Sequence, residues 1–197
     1  MVMEYYNINA HKFFDGTFQI NMDKIYQAFL NRIPEGGLIM DAGCGSGRDA
    51  LAFTEQGYHV LAFDEAEKLV DLAKEKTGLN IECSSFLDFY TEPSSVDGIW
   101  ACASLLHTPV DELGHTLTHL MHFLKPEGII YCSFKYGAED TELEDGRFFT
   151  NMNESKIDRL AAETNVSIRH LWITEDLRVE RKGEKWLNVL LMKKAES

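Results

Sequence analysis

No apolar run in this chain approaches the ~18–20 residues that a membrane-spanning helix needs. The first residues, MVMEYYNINAHKFF, lack the basic-then-apolar layout of a secretory leader. Both absences predict a cytoplasmic protein with no membrane partner. Cysteine is sparse: Cys44, Cys83, Cys102 and Cys132 stand far apart and form no CxxC pair. That argues against a disulfide framework and a zinc site, and predicts reduced, mostly buried thiols. Positive charge is scarce too, with 19 Lys and Arg against 32 Asp and Glu and a formal net charge of −13. An acidic body repels phosphate backbones, so nucleic acid is not an expected partner. The nearest basic cluster, Arg178 to Lys182, is interrupted by Glu180. There are 4 prolines, with no Pro/Gly/Ser linker, repeat or low-complexity tract. The 197 residues therefore read as one domain with a real core, as a monomer or a homodimer.

What is present alternates. Residues 1–33 show helical spacing, with Ile20, Ile25, Phe29 and Leu30 in phase and Pro34 and Gly36-Gly37 closing the segment. Strands are predicted at about 38–42, 58–63, 79–83, 96–102 and 128–134, and helices at about 47–56, 65–77, 111–124 and 154–163. Two late β-like runs, at about 167–174 and 185–193, flank a turn signal at Lys182-Gly183. Strands separated by helical patterns imply a parallel sheet wound on both faces, and the final hairpin implies an antiparallel strand joining it. In the helix at about 111–124, His115, His119 and His122 have a metal-like spacing. Leu113, Leu117, Leu120, Met121 and Leu124 fill the other face, so the histidines are read as its solvent side and no metal is expected.

Residues 38–64, LIMDAGCGSGRDALAFTEQGYHVLAFD, carry the most information. An apolar run ends in Asp41, then Gly43, Gly45 and Gly47 alternate, a helical segment follows, and a second apolar run ends in Asp64. Alternating glycines let a ligand approach backbone, and the helix that follows offers free N–H groups. The spacing is not the GxGxxG of dinucleotide binders. Asp41, two positions before the first glycine, suits a cationic ligand better than a pyrophosphate. S-adenosylmethionine carries an ammonium, a sulfonium, a ribose and an adenine, and it fits this pattern best.

The motif Asp41-Ala42-Gly43-Cys44-Gly45-Ser46-Gly47 resembles the first motif of class I S-adenosylmethionine-dependent methyltransferases. Asp64 resembles their ribose-binding acid, and residues 96–107, VDGIWACASLLH, resemble their fourth-strand motif. Leu124-Lys125-Pro126-Glu127-Gly128 resembles the turn before their fifth strand, with Glu127 in place of a glycine. The resemblance covers about residues 5–193 and is nearest to small bacterial stand-alone enzymes of the tellurite-resistance-like or ubiquinone-biosynthesis-like kind. It implies a Rossmann-like three-layer αβα sandwich with a seven-stranded, mostly parallel sheet and an antiparallel C-terminal strand. A helical lid over 1–33 would precede a core over 34–197.

The resemblance also implies roles. Asp64 would accept both ribose hydroxyls, with Glu65 beside it. Gly43, Cys44 and Gly45 would pack against the cofactor through backbone, Asp41 would face its amino group, and Arg48 would pair with its carboxylate. Ser85, Phe86 and Leu87 would hold the adenine, with Asp88 as the alternative to Ser85. Ala101 and Cys102 would line the methionine end. His107 is the candidate proton acceptor near the transferred methyl, or else a residue that only orders its loop. Tyr6, with Tyr5, Asn9, Ala10 and Phe13, resembles an aromatic lid. The acceptor pocket is expected among this lid, His107 and the segment holding Lys135, Tyr136, Arg147, Phe148 and Phe149. The expected activity is direct in-line methyl transfer to a small molecule, leaving S-adenosylhomocysteine. A non-catalytic binder of either ligand, and a methyltransferase of tRNA or protein, are the alternatives.

Overall fold

The computed structural model describes residues 2–194. Three helices, α1 (Val2–Ile8), α2 (Ala10–Thr17) and α3 (Asp23–Leu30), precede the first strand. Alternation then runs β1 (Leu38–Ala42), α4 (Arg48–Glu55), β2 (His59–Asp64), α5 (Glu67–Thr77), β3 (Ile81–Cys83), β4 (Val96–Ala101), α6 (Val110–Phe123) and β5 (Leu124–Lys135). A short ribbon of β6 (Thr141–Glu142) and β7 (Phe148–Phe149) leads to α7 (Glu154–Glu163) and the hairpin of β8 (Val166–Glu175) and β9 (Lys185–Lys193). The seven-stranded sheet has the order β3-β2-β1-β4-β5-β9-β8. β9 runs antiparallel to both its neighbours, and the first five strands pair in parallel. This is the predicted Rossmann-like sandwich.

The apolar strands are continuous because both their faces are covered. Successive residues go to opposite layers. Ile39, Trp100, Ile129, Tyr131 and Leu190 pack with Phe29 of α3 and Phe53 of α4. Met40, Ile99, Ile130, Cys132, Val189 and Leu191 pack with Leu117 and Leu120 of α6 and Leu160 of α7. The α3 helix therefore belongs to the core layer, and only α1 and α2 are left to cover the sheet's ligand-binding end. They pack on α5 through Ala10, Phe14, Leu69 and Leu72.

The strand order reverses between β1 and β4, and the carboxyl ends of β1, β2 and β4 open there, where ligands of such sheets bind. One departure from the expected turn lies in β5. The Leu124–Gly128 segment enters the strand directly through a register shift against β4, with Glu127 at φ +61°. A non-glycine residue in the left-handed region costs about 1–2 kcal/mol, part of which glycine returns through its unfolded-state freedom. Glu127→Gly is expected to raise Tm by about 2 °C in a thermal melt.

Candidate functional site

The loop after β1 crosses the end of β2. Backbone N–H groups of Gly43 and Cys44 both donate to the Phe63 carbonyl at 2.9 Å. Gly43 has φ +76°, and a Cβ there would lie 2.5 Å from Ser104 Cβ, so only glycine lets the fourth-strand loop close against it. Asp64 ends β2. Its Oδ2 accepts from Gly45 N at 2.9 Å and its Oδ1 from Ala66 N at 3.0 Å. Each carboxylate oxygen keeps a further lone pair, and Asp64 lines a cavity of about 550 Å³. Two lone pairs held this way suit two vicinal hydroxyls. Burial pushes the Asp64 carboxyl above its ordinary value, against the pull of these backbone donors.

Behind the loop sits a buried charge network. Arg48 grips its neighbour Asp49 through Nε at 2.6 Å and Nη2 at 2.9 Å. Asp49 also accepts from Tyr26 Oη at 2.5 Å and from Trp100 Nε1 at 2.8 Å. Arg48 Nη1 reaches the Thr17 carbonyl at 3.3 Å. Arg48 and Asp49 both line the cavity, but the guanidinium fork is already engaged. Asp41 lies off the cavity wall, 1% exposed, with Oδ2 unpartnered. Burial and the nearby Asp49 charge hold its carboxyl well above the usual range. The structure therefore does not bring the Asp41 side chain against the amino group of a ligand in this cavity.

Glu65, Ser85, Phe86 and Cys102 line the cavity, as do Gly43, Cys44 and Gly45. Ser85 and Asp88 are not alternatives in space: the Ser85 hydroxyl donates to Asp88 Oδ2 at 2.6 Å. Leu87 is exposed and lies off the wall, while Ala101 is fully buried in the core behind it. Burial pushes the Cys102 thiol up to about 12, so it lines the site as a neutral group.

The lid reaches over this end. Tyr6 and Phe13 line the cavity, and Thr17 Oγ1 donates to Ser46 Oγ of the glycine loop at 3.2 Å. Tyr6 Oη lies 2.8 Å from His107 Nε2, and His107 Nδ1 lies 2.8 Å from the Phe148 carbonyl. A carbonyl only accepts, so Nδ1 carries the hydrogen and Nε2 accepts from the Tyr6 hydroxyl. Burial, aided by Arg147 and Lys135, lowers His107 to about 4. Its imidazole is therefore neutral at pH 7, a weak base, with its one free lone pair already taken.

Beyond His107, Lys135, Arg147 and Phe149 line the cavity as expected, whereas Tyr136 and Phe148 do not. The far wall was not expected. It is built by Tyr131, Ser133, Asp176, Arg178, Trp186 and Asn188, from β5, β9 and the β8–β9 turn. Tyr131 and Ser133 lie in the expected fifth strand, whereas Asp176, Arg178, Trp186 and Asn188 belong to the late hairpin and reach the site through the order β5-β9-β8. Among the described residues, no group of three or more His, Cys, Asp or Glu could hold a metal, and no helix is long and apolar enough to cross a membrane.

Residues 39–128 match the family described as a methyltransferase domain. The matched segment is similar to a methyltransferase domain. It contains the glycine loop, Asp64, the adenine-side residues and His107. The magnesium-protoporphyrin O-methyltransferase of Rhodobacter capsulatus is 29% identical over 111 residues, covering 53% of this chain and 50% of that protein. The ubiquinone biosynthesis O-methyltransferase of Xylella fastidiosa is 30% identical over 109 residues, covering 52% and 44%. The chain spans about half the length of the curated relatives it matches. Among solved structures, the 1,6-didemethyltoxoflavin-N1-methyltransferase of Burkholderia thailandensis, with 1,6-didemethyltoxoflavin and S-adenosylhomocysteine bound, superposes with a TM-score of 0.80. That match covers 98% of this chain and 87% of that one at 20% identity, which shows that the two chains share one fold.

Proposed function

We propose that the protein binds S-adenosylmethionine and directs its methyl group to a small-molecule acceptor by in-line displacement. The observation that carries this reading is the extent of the cavity. It runs from Asp64 and the glycine loop, past His107, to Trp186 and Asn188. A protein that only bound the cofactor has use for the first half alone. S-adenosylmethionine supplies the activated methyl and its leaving group, so no nucleophilic side chain is required. Asp64 would hold the ribose, Ser85 and Phe86 the adenine edge, and the buried Asp41, Asp49 and Arg48 would set the field at the methionine end. Tyr6 and Phe13 would close the site and exclude water, which together with alignment is worth roughly 7–11 kcal/mol in well-oriented systems. In this reading His107 is a positioning residue, because its Nε2 holds Tyr6.

A cytoplasmic location accords with the four free cysteines. The formal charge of −13 favours a small acceptor over tRNA. The test is calorimetric titration with S-adenosylmethionine and S-adenosylhomocysteine, beside heparin retention. Micromolar binding of both, with no salt-sensitive retention, is expected; flat titrations would reject the cofactor assignment. Tyr6→Phe removes the hydroxyl that donates to His107. It is expected to weaken S-adenosylhomocysteine about fivefold, the effect of one hydrogen bond of about 1 kcal/mol, with the melting curve little changed.

A further inference from the structure

The acceptor half of the cavity is unlike the cofactor half in charge. At the glycine loop and its lid the lining carboxylates are Asp49, Asp64 and Glu65, set against Arg48 and Lys12. At the His107 end the lining charges are the cations of Lys135 and Arg147. Each of these has a carboxylate partner. Lys135 Nζ lies 3.1 Å from Glu184, and Arg147 Nη2 lies 2.6 Å from Asp145. The partners, however, do not line the cavity and are the more exposed members of their pairs. Lys135 and Glu184 side chains are 22% and 40% exposed, and Arg147 and Asp145 are 13% and 37% exposed. The cations line the cavity and their carboxylate partners do not, although the Glu184 Oε2 that Lys135 meets is itself buried.

Both cations bear on one aromatic ring. Lys135 Nζ lies 4.7 Å from the Phe149 centroid, and Arg147 Cζ lies 5.6 Å from it. Arg147 is held from its other side by Tyr5, whose ring centroid is 3.9 Å away. Bidentate contact with Asp145 and this stacking fix the guanidinium before any ligand arrives. The third charged sector of the wall, in the β8–β9 turn, is mixed. There Glu175, Asp176 and Glu180 accompany Arg178 and Arg181, and Asp176 is saturated by Arg178 and by Trp186 Nε1 at 2.9 Å.

We infer that the acceptor enters as an anion, with a carboxylate or ionised hydroxyl held by Lys135 and Arg147. This deepens the methyl-transfer reading and rests on it only for the identity of the other half of the cavity. Two features agree. An inward cation pair in a part-buried cavity attracts a negative group more strongly than it would in water. An acceptor that arrives ionised needs no proton removed at the site, which fits a His107 whose only free lone pair is occupied by Tyr6.

The test uses matched acid and amide pairs: salicylate and salicylamide, indole-3-acetate and indole-3-acetamide, 4-hydroxybenzoate and its amide. Binding to the full chain is followed by thermal shift and calorimetry, with and without S-adenosylhomocysteine. At least one acid is expected to bind tenfold or more tightly than its amide, with the preference falling as salt rises. Lys135→Met and Arg147→Met are each expected to cut that preference severalfold, and Lys135→Met to leave S-adenosylhomocysteine affinity within twofold. Equal binding of acids and amides to the wild type, or no binding by any acid, overturns the inference. So does a preference that survives in both variants. A flat S-adenosylhomocysteine titration beside a clear acid preference strikes the cofactor reading instead and leaves the anion site standing.

Discussion

Asp64→Ala is expected to weaken S-adenosylhomocysteine and S-adenosylmethionine binding by roughly 10²–10⁴-fold. Two charge-assisted hydrogen bonds, at about 1.5–3 kcal/mol each, set that range. The free protein should change little in Tm. Burial holds the Asp64 carboxyl above its ordinary value, so its ionisation opposes folding near neutral pH. The sign follows from linkage: a raised folded-state pKa contributes stability that is full below the unfolded value and is lost as pH rises through the folded one. Removing the group lifts that penalty while leaving the Gly45 and Ala66 N–H groups without their acceptor, and the two effects oppose each other. Ligand affinity has the reverse dependence, because the hydroxyls need the ionised carboxylate. It should fall as pH drops through the raised pKa. Calorimetry across pH and a melting curve of the free variant separate the two. Retained affinity in Asp64→Ala would place the ligand elsewhere.

Much of this was legible in the chain because burial on both faces makes parallel strands into uninterrupted apolar runs. Leu38 to Ala42 and Val96 to Ala101 could be read directly, and so could Asp41 near the end of β1 and Asp64 at the end of β2. The glycine loop was legible because close approach leaves no other residue type, as the Ser104 contact at Gly43 shows. What escaped depends on side-chain direction or on strand order. Arg48 follows the loop in sequence, but the adjacent Asp49 captures its fork. Ala101 sits at the right strand end yet points into the core, one residue out of phase with Cys102. Ser85 and Asp88 looked like competitors and are hydrogen-bonded to each other. The wall from Asp176 to Asn188 belongs to the site only because β9 inserts beside β5, a pairing that no local pattern announces.

Asp49→Ala should do the opposite of Asp64→Ala and unfold the protein more than it silences the site. Asp49 is 6% exposed and accepts four donors: Arg48 Nε and Nη2, Tyr26 Oη and Trp100 Nε1. Burial by itself would raise its pKa, but the Arg48 charge and the hydrogen bonds prevail and hold it below the ordinary value. Truncation leaves a buried guanidinium, a phenol and an indole N–H without an acceptor. Removing one member of a buried ion pair costs about 3–5 kcal/mol. At about 2–4 °C per kcal/mol for a chain of this size, Tm should drop by roughly 6–20 °C. Trp100 stacks on Tyr131 at 4.0 Å and meets Tyr26, Phe29 and Phe53 edge-on or tilted, so the loss should spread through the α3 layer and near-UV circular dichroism of the indole should report it first. Acid should expose the same network: with a lowered folded-state pKa, the Asp49 contribution is full above the unfolded carboxyl value and vanishes as pH falls through the folded one. Wild type should therefore lose stability steeply in that acid range while Asp49→Ala loses less. Parallel acid melting profiles for the two proteins would contradict a stabilising role for this pair.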